Sequence, residues 1–439
     1  MPAPHFRKLS LQHALNFPWA WDQRLLLIGA NLLFLGMSIA VFERETGING
    51  VSKGAYTSWI AAMLLCAAAL IRLMKRPFVP IPVSLRVWLG AGGAILFLMV
   101  FQSALNFSRY GLKSILLESL PWACTVLLPV LGDPRFADSW RRIFRWHAVM
   151  GVVVNLFLLT QSWDLVINPL IYRYQLIPVV GNGLGLLYAV PYLLFLYGDL
   201  RPSLRLVVSV GMIELLYLGL IRENRQAVFL VGVQLLLAVW IYWRGRISAA
   251  SLRQNRNILA SFLIIVSVFW FLQAVLPEVS HRMMSLETRF LLTEGERSIT
   301  ENVRWKEVSV FFEQLKPLEY VWGRGVSGTF DNTIIVQNPH FIHVGYVYAI
   351  LKGGIPLLLL LLFGPVLVGV RALLSSREPY MLAASGMCAW LAVKLYTGNI
   401  LSANATYYLA LVCFGYCLYG LGSPGLYPGS ETRYKGNMT

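Results

Sequence analysis

Runs of about twenty apolar residues recur along the chain with short connections between them, and no other feature limits its fold so strongly. A run of that length crosses a hydrocarbon core as a helix, which satisfies its own backbone N–H and C=O groups where water cannot. Such spans are expected near residues 25–43, 55–73, 86–104, 114–132, 143–163, 179–198, 203–221, 225–243, 258–276, 355–373, 380–398 and 403–421. With 57% hydrophobic and 13% charged residues, a soluble domain is excluded. The expected fold class is an all-α polytopic membrane protein of about 12 transmembrane helices.

Charge sets the orientation. Alternate connections collect 21 of the 37 basic residues, Arg72, Arg86, Arg135, Arg141, Arg201 and Arg371 among them, against six acids, so one face holds nearly all of the formal charge of +16. Cytoplasmic loops retain Lys and Arg, which predicts that both termini are cytoplasmic. The basic character then reflects topology and not a nucleic-acid surface. The first apolar run is full length and no small-residue cleavage site follows it, so it is expected to stay as a span. Cys66, Cys124, Cys388, Cys413 and Cys417 fall inside spans, where free thiols act as small packing residues.

Residues 277–354 break the rhythm of short connections. They divide the chain into nine spans over 1–276, a long loop outside the cytoplasm, and three spans with a cytoplasmic tail over 355–439. In the loop, Trp305, Val308, Phe311, Phe312 and Leu315 recur at helical spacing, predicting an amphipathic helix that rests on the membrane or on the bundle. GRGVSG, residues 323–328, matches the G-x-G-x-x-G pattern, but a dinucleotide site needs a strand before it and a helix after it. A glycine-rich turn is expected instead. In NPHFIHVGYVYAILKGG, residues 338–354, two of the six histidines stand one helical turn apart, and Gly353, Gly354 and Pro356 predict a helix break before the tenth span. The break keeps Lys352 from an unpaired place deep in the bilayer.

Arg222 and Arg225, in the turn after the seventh span, stand on the outer face against the usual bias. Interfacial anchoring is one reading of them. The other is an anion site, because a guanidinium grips phosphate oxygens in a fork and stays charged. Arg289 and Arg304 in the long loop are placed to close the same site. A diphosphate leaving group requires its growing charge to be neutralised, and arginines do this without a metal. A neutral histidine, His340 or His343, has the basicity to accept a proton from an attacking hydroxyl.

These residues resemble the O-antigen ligase and polymerase superfamily of bacterial envelope glycosyltransferases, best over residues 205–370. The likeness lies in Asn224-Arg225-Gln226-Ala227 after a span, in Arg304-Trp305 ahead of the glycine turn at 323–328, and in His343 eleven residues before Gly354. The pattern departs at Val344, at Phe341 and at Leu357, and Pro339-His340 fits the family opening as well as His343 does. The single long outer loop is similar to that of the ligases. The resemblance implies a GT-C-like enzyme without cofactor or metal. It would move O-antigen polysaccharide from undecaprenyl diphosphate to the lipid A core oligosaccharide at the periplasmic face of the inner membrane, among membrane lipids and without nucleic acid. It further implies His340, His343 and Arg225 as catalytic, with Arg222, Arg225, Arg289, Arg304 and Lys352 on the diphosphate or the lipid A phosphates. A polymerase or an oligosaccharyltransferase acting on protein would share the donor. A transporter would instead line a midplane path with charge, and Glu118, Glu214 and Lys394 are few for that.

Overall fold

A computed structural model of the chain describes residues 20–45, 53–75, 81–161, 200–221, 236–237, 303–331, 342, 344–376, 378–397 and 405–422. Among these residues all regular structure is helical. Among the described residues, the first helices are α1 (Ala20–Glu45), α2 (Lys53–Met74), α3 (Val83–Leu105), α4 (Phe107–Leu127) and α5 (Ala137–Gln161), with 3-10 turns at Leu128–Gly132 and Pro134–Phe136 between the last two. Then come α6 (Pro202–Ile221), α7 (Val303–Gln314), α8 (Pro317–Trp322), α9 (Gly345–Ser375), α10 (Pro379–Thr397) and α11 (Ala405–Gly422). The first five expected spans, the seventh and the last three coincide with helices. The sixth and ninth lie outside the described residues, as does nearly all of the eighth. Tyr56–Met74, Val83–Leu105, Gly111–Gly132 and Gly345–Ser375 are long and apolar enough to cross a membrane.

Helix α11 is the centre of the bundle, with Tyr407, Tyr408, Phe414 and Cys417 all buried. It approaches the turn after α4 so closely that a Cβ on Gly415 would lie 1.9 Å from the Pro129 carbonyl oxygen. Glycine is therefore required there by space alone, the usual means by which apolar helices gain contact when lipid competes equally for their side chains. The outward faces are apolar too. Phe97, Phe101 and Leu105 of α3 and Leu359, Phe363 and Leu367 of α9 are exposed, as lipid-facing positions should be. All five cysteines are buried and free.

One end of the bundle gathers the connecting charges. Arg72, at the end of α2, donates from Nε to the Asp133 carboxylate at 2.8 Å, and Arg135 donates from its own Nε to the other oxygen at 3.0 Å. The Asp133 and Arg72 side chains are only 4% and 1% exposed. Lys75 pairs with Asp22 at 3.0 Å beside them, and Gln23 donates to the Ser139 hydroxyl at 2.8 Å. We call this the basic end. Burial on its own would raise the Asp133 carboxyl, but the bond from Arg135 and the charges of Arg72 and Arg135 outweigh it and hold the group below the usual carboxylate value.

The folded value of Asp133 thus lies under the roughly 3.9 of an unfolded aspartate, so its contribution is complete above that pH and fades as pH falls through the folded value. Asp133→Asn strands the Arg72 guanidinium and should cost about 3 kcal/mol, read as a lower unfolding temperature in detergent at pH 7. The gap between wild type and variant should stay full down to about pH 4 and close only as pH falls further, through the lowered folded value, where protonation removes the same charge.

Candidate functional site

The opposite end of the bundle carries the long loop. Helix α7 forms because its apolar residues recur on one stripe, and Val308, Phe311 and Leu315 at its end are buried against Phe330, Ile342, Val347, Ile350 and Leu351. The predicted amphipathic helix is therefore present, and the surface it rests on is the protein's own. It stops at Gln314 because Pro317 opens α8, whose Glu319 carboxylate accepts the Lys316 amide at 2.9 Å. Helix α8 leaves Leu318, Val321 and Trp322 exposed, and its Val321 carbonyl lies against Gly354 of α9.

The predicted break in α9 falls at Gly354, whose φ of 66° and ψ of −164° separate a short segment, 345–353, from the long helix 355–375. The break leaves backbone carbonyls without helical donors. Lys352 O would take its bond from residue 356, which is proline and has no N–H, and Leu351 O would take its bond from across the distorted residue. The glycine turn supplies both. Arg324 N–H donates to Leu351 O at 2.6 Å and Gly325 N–H donates to Lys352 O at 3.1 Å. Gly325, at φ 85°, lies so close to α3 that a Cβ there would be 2.7 Å from Met99 O. Val326 N–H donates to that same Met99 carbonyl at 3.2 Å, and Ser327 N–H to the Ser103 hydroxyl at 3.0 Å. GRGVSG is a turn, as expected, and its amides serve the protein's own carbonyls.

Two cations stiffen the junction. The Arg324 guanidinium donates to Thr329 O at 2.7 Å, Gln314 O at 2.6 Å and the Glu319 carboxylate at 3.0 Å, joining α7, α8 and the turn. Lys352 is 0% exposed and donates from Nζ to Val326 O at 2.7 Å, Gly328 O at 3.0 Å and Glu118 of α4 at 3.0 Å. The Ser114 hydroxyl donates to the same carboxylate at 2.9 Å. Nζ also lies 5.1 Å above the Tyr348 ring, which stacks on Trp122. This corrects the expectation that Lys352 binds phosphate. An ammonium has three N–H donors, and here all three are spent on protein groups.

Among the other expected site residues, Arg304 stands in the first turn of α7, its side chain outside what is described. Arg222, Arg225, Arg289, His340 and His343 lie outside the described residues, Arg222 directly after the last residue of α6. Ile342, between the two histidines, is buried in the cluster under α7. The chain therefore enters the 345–353 segment from the docked loop. Glu118, Arg324, Ser103 and Ser327 were not singled out for the site from sequence. One signal was there: Glu118 and Lys352 are lone charges of opposite sign in apolar surroundings, and such charges seek each other. Among the described residues no three His, Cys, Asp or Glu side chains group as metal ligands. The chain matches no protein-family model, and no curated protein matches it.

Gly354→Ala would put a Cβ 2.1 Å from Val321 O at a positive φ, so the turn over α8 must open. A loss of about 2 kcal/mol or more in stability is expected. Gly93→Ala, helical and with open space around it, should change stability by less than about 1 kcal/mol in the same thermal unfolding experiment.

Proposed function

We propose that the chain is a glycosyltransferase of the O-antigen ligase type, moving a polysaccharide from undecaprenyl diphosphate to a sugar hydroxyl of the lipid A core. It works at the periplasmic face of the inner membrane, with about 12 spans in a GT-C-like bundle. The observation that carries this reading is the loop junction, where the histidine-bearing segment leads through buried Ile342 onto a short helix set off by Gly354 and held against α3 and α4. The short helix that follows His343 in the sequence is thereby held firmly, and we assign the base to that histidine pair and the diphosphate to the arginines that follow α6 in the sequence.

The chemistry is a single displacement. The acceptor hydroxyl oxygen attacks the anomeric carbon of the donor while the bond from that carbon to the diphosphate oxygen breaks, inverting the centre. His340 or His343 takes the hydroxyl proton, and undecaprenyl diphosphate departs with its charge balanced by Arg222, Arg225, Arg289 and Arg304. The break at Gly354 lies at the loop end of the described helices, which suits a reaction confined to that face, whereas transport calls for broken helices near the midplane.

Purified protein given undecaprenyl-diphosphate glycan and lipid A core in detergent with EDTA should form linked product. Either His340→Ala or His343→Ala should abolish it, and the one that does identifies the base. Arg225→Lys should lose nearly as much rate as Arg225→Ala, about a hundredfold or more, because ammonium lacks the forked geometry. Glycan that lengthens on its own lipid carrier instead of reaching lipid A would assign the chain to a polymerase.

A further inference from the structure

The break at Gly354 means that the long part of α9 does not orient the 345–353 segment through a continuous helix. Something else has to. The segment is tied to the bundle through the Lys352 ammonium, whose donors point to a carboxylate in α4 and to two carbonyls of the turn, fixing three directions at once. Glu118 and Lys352 stand 234 residues apart in sequence, so the bond sets tertiary geometry and does nothing for local helix formation. The turn it grips is the one whose amides cap the segment's own carbonyls.

We propose that Glu118 and Lys352 are positioning residues for the transfer reaction. They latch the glycine turn and the 345–353 segment to α3 and α4, and thereby set where the histidine that precedes the segment meets the acceptor hydroxyl. The proposal rests on the transferase reading above. Neither residue touches the sugar or the diphosphate. A latch of this kind acts on the geometry of attack, so its loss lowers kcat and leaves donor binding nearly intact.

The test combines Lys352→Met with the milder Glu118→Gln, and adds a disulfide tether, Ser103→Cys with Ser327→Cys. The Ser327 amide lies 3.0 Å from the Ser103 hydroxyl, so the tether joins the turn to α3 where the native contact already is. Each single variant should raise amide hydrogen exchange over residues 323–330 and lower kcat by about tenfold or more, with KM for the lipid donor within about threefold of wild type. The oxidised tether should restore both the slow exchange and most of kcat to Lys352→Met, and reduction should remove the rescue. If Lys352→Met does not fold, Glu118→Gln with the tether carries the same comparison. Unchanged exchange in the variants would overturn the latch. So would a raised KM that the tether fails to correct, which would place Lys352 on the substrate. A wild-type protein that transfers nothing while exchange still follows the latch would sink the transferase reading and leave the latch standing.

Discussion

A helix interrupted near hydrocarbon must find other donors for the carbonyls it exposes, and the loop end of this protein is organised by that requirement. Pro356 has no N–H and Gly354 leaves the helical region, so Leu351 O and Lys352 O turn to Arg324 and Gly325. Meeting them forces the glycine turn down between α3 and α9, where Gly323 and Gly325 take positive φ and a Cβ at either would collide with backbone. Once the turn is there, Arg324 can reach α7 and α8, and Lys352 can reach the turn's own carbonyls. The apolar face of α7 then closes over the short segment.

The two ends of the bundle solve the same electrostatic problem in different ways. At the basic end, Asp133 is shared by two arginines beside a short connection, and the cost of burying the charges is met by several hydrogen bonds at once. At the loop end, the charges come from segments far apart in sequence and hold the tertiary arrangement of a long excursion. The first cluster stabilises a bundle of helices. The second fixes the approach to a surface where chemistry is proposed.

Much of the architecture was legible in the sequence. Apolar runs gave the helices, because length and hydropathy leave a membrane-crossing segment few alternatives. The stripe of Val308, Phe311 and Leu315 gave α7, and Gly353-Gly354-Pro356 gave the break, since each follows from local sterics and periodicity. The candidate site was read less well. Lys352 was assigned to phosphate only through the resemblance, and the neighbouring carboxylate and carbonyls show its donors already taken. Arg324 was passed over as part of a glycine pattern.

Sequence alone therefore determined the helical membrane class, the alternation of charge along the chain and the place where α9 breaks, because these depend on residues near one another. The tertiary structure decided which groups answer the break and which charges meet. The Leu351 and Lys352 carbonyls announce their need through Pro356, but their donors sit nearly thirty residues upstream in a turn. Nothing local in the chain names Glu118, in α4, as the partner of Lys352. Long-range pairing depends on how helices pack, and packing is a property of the whole bundle, not of any one segment.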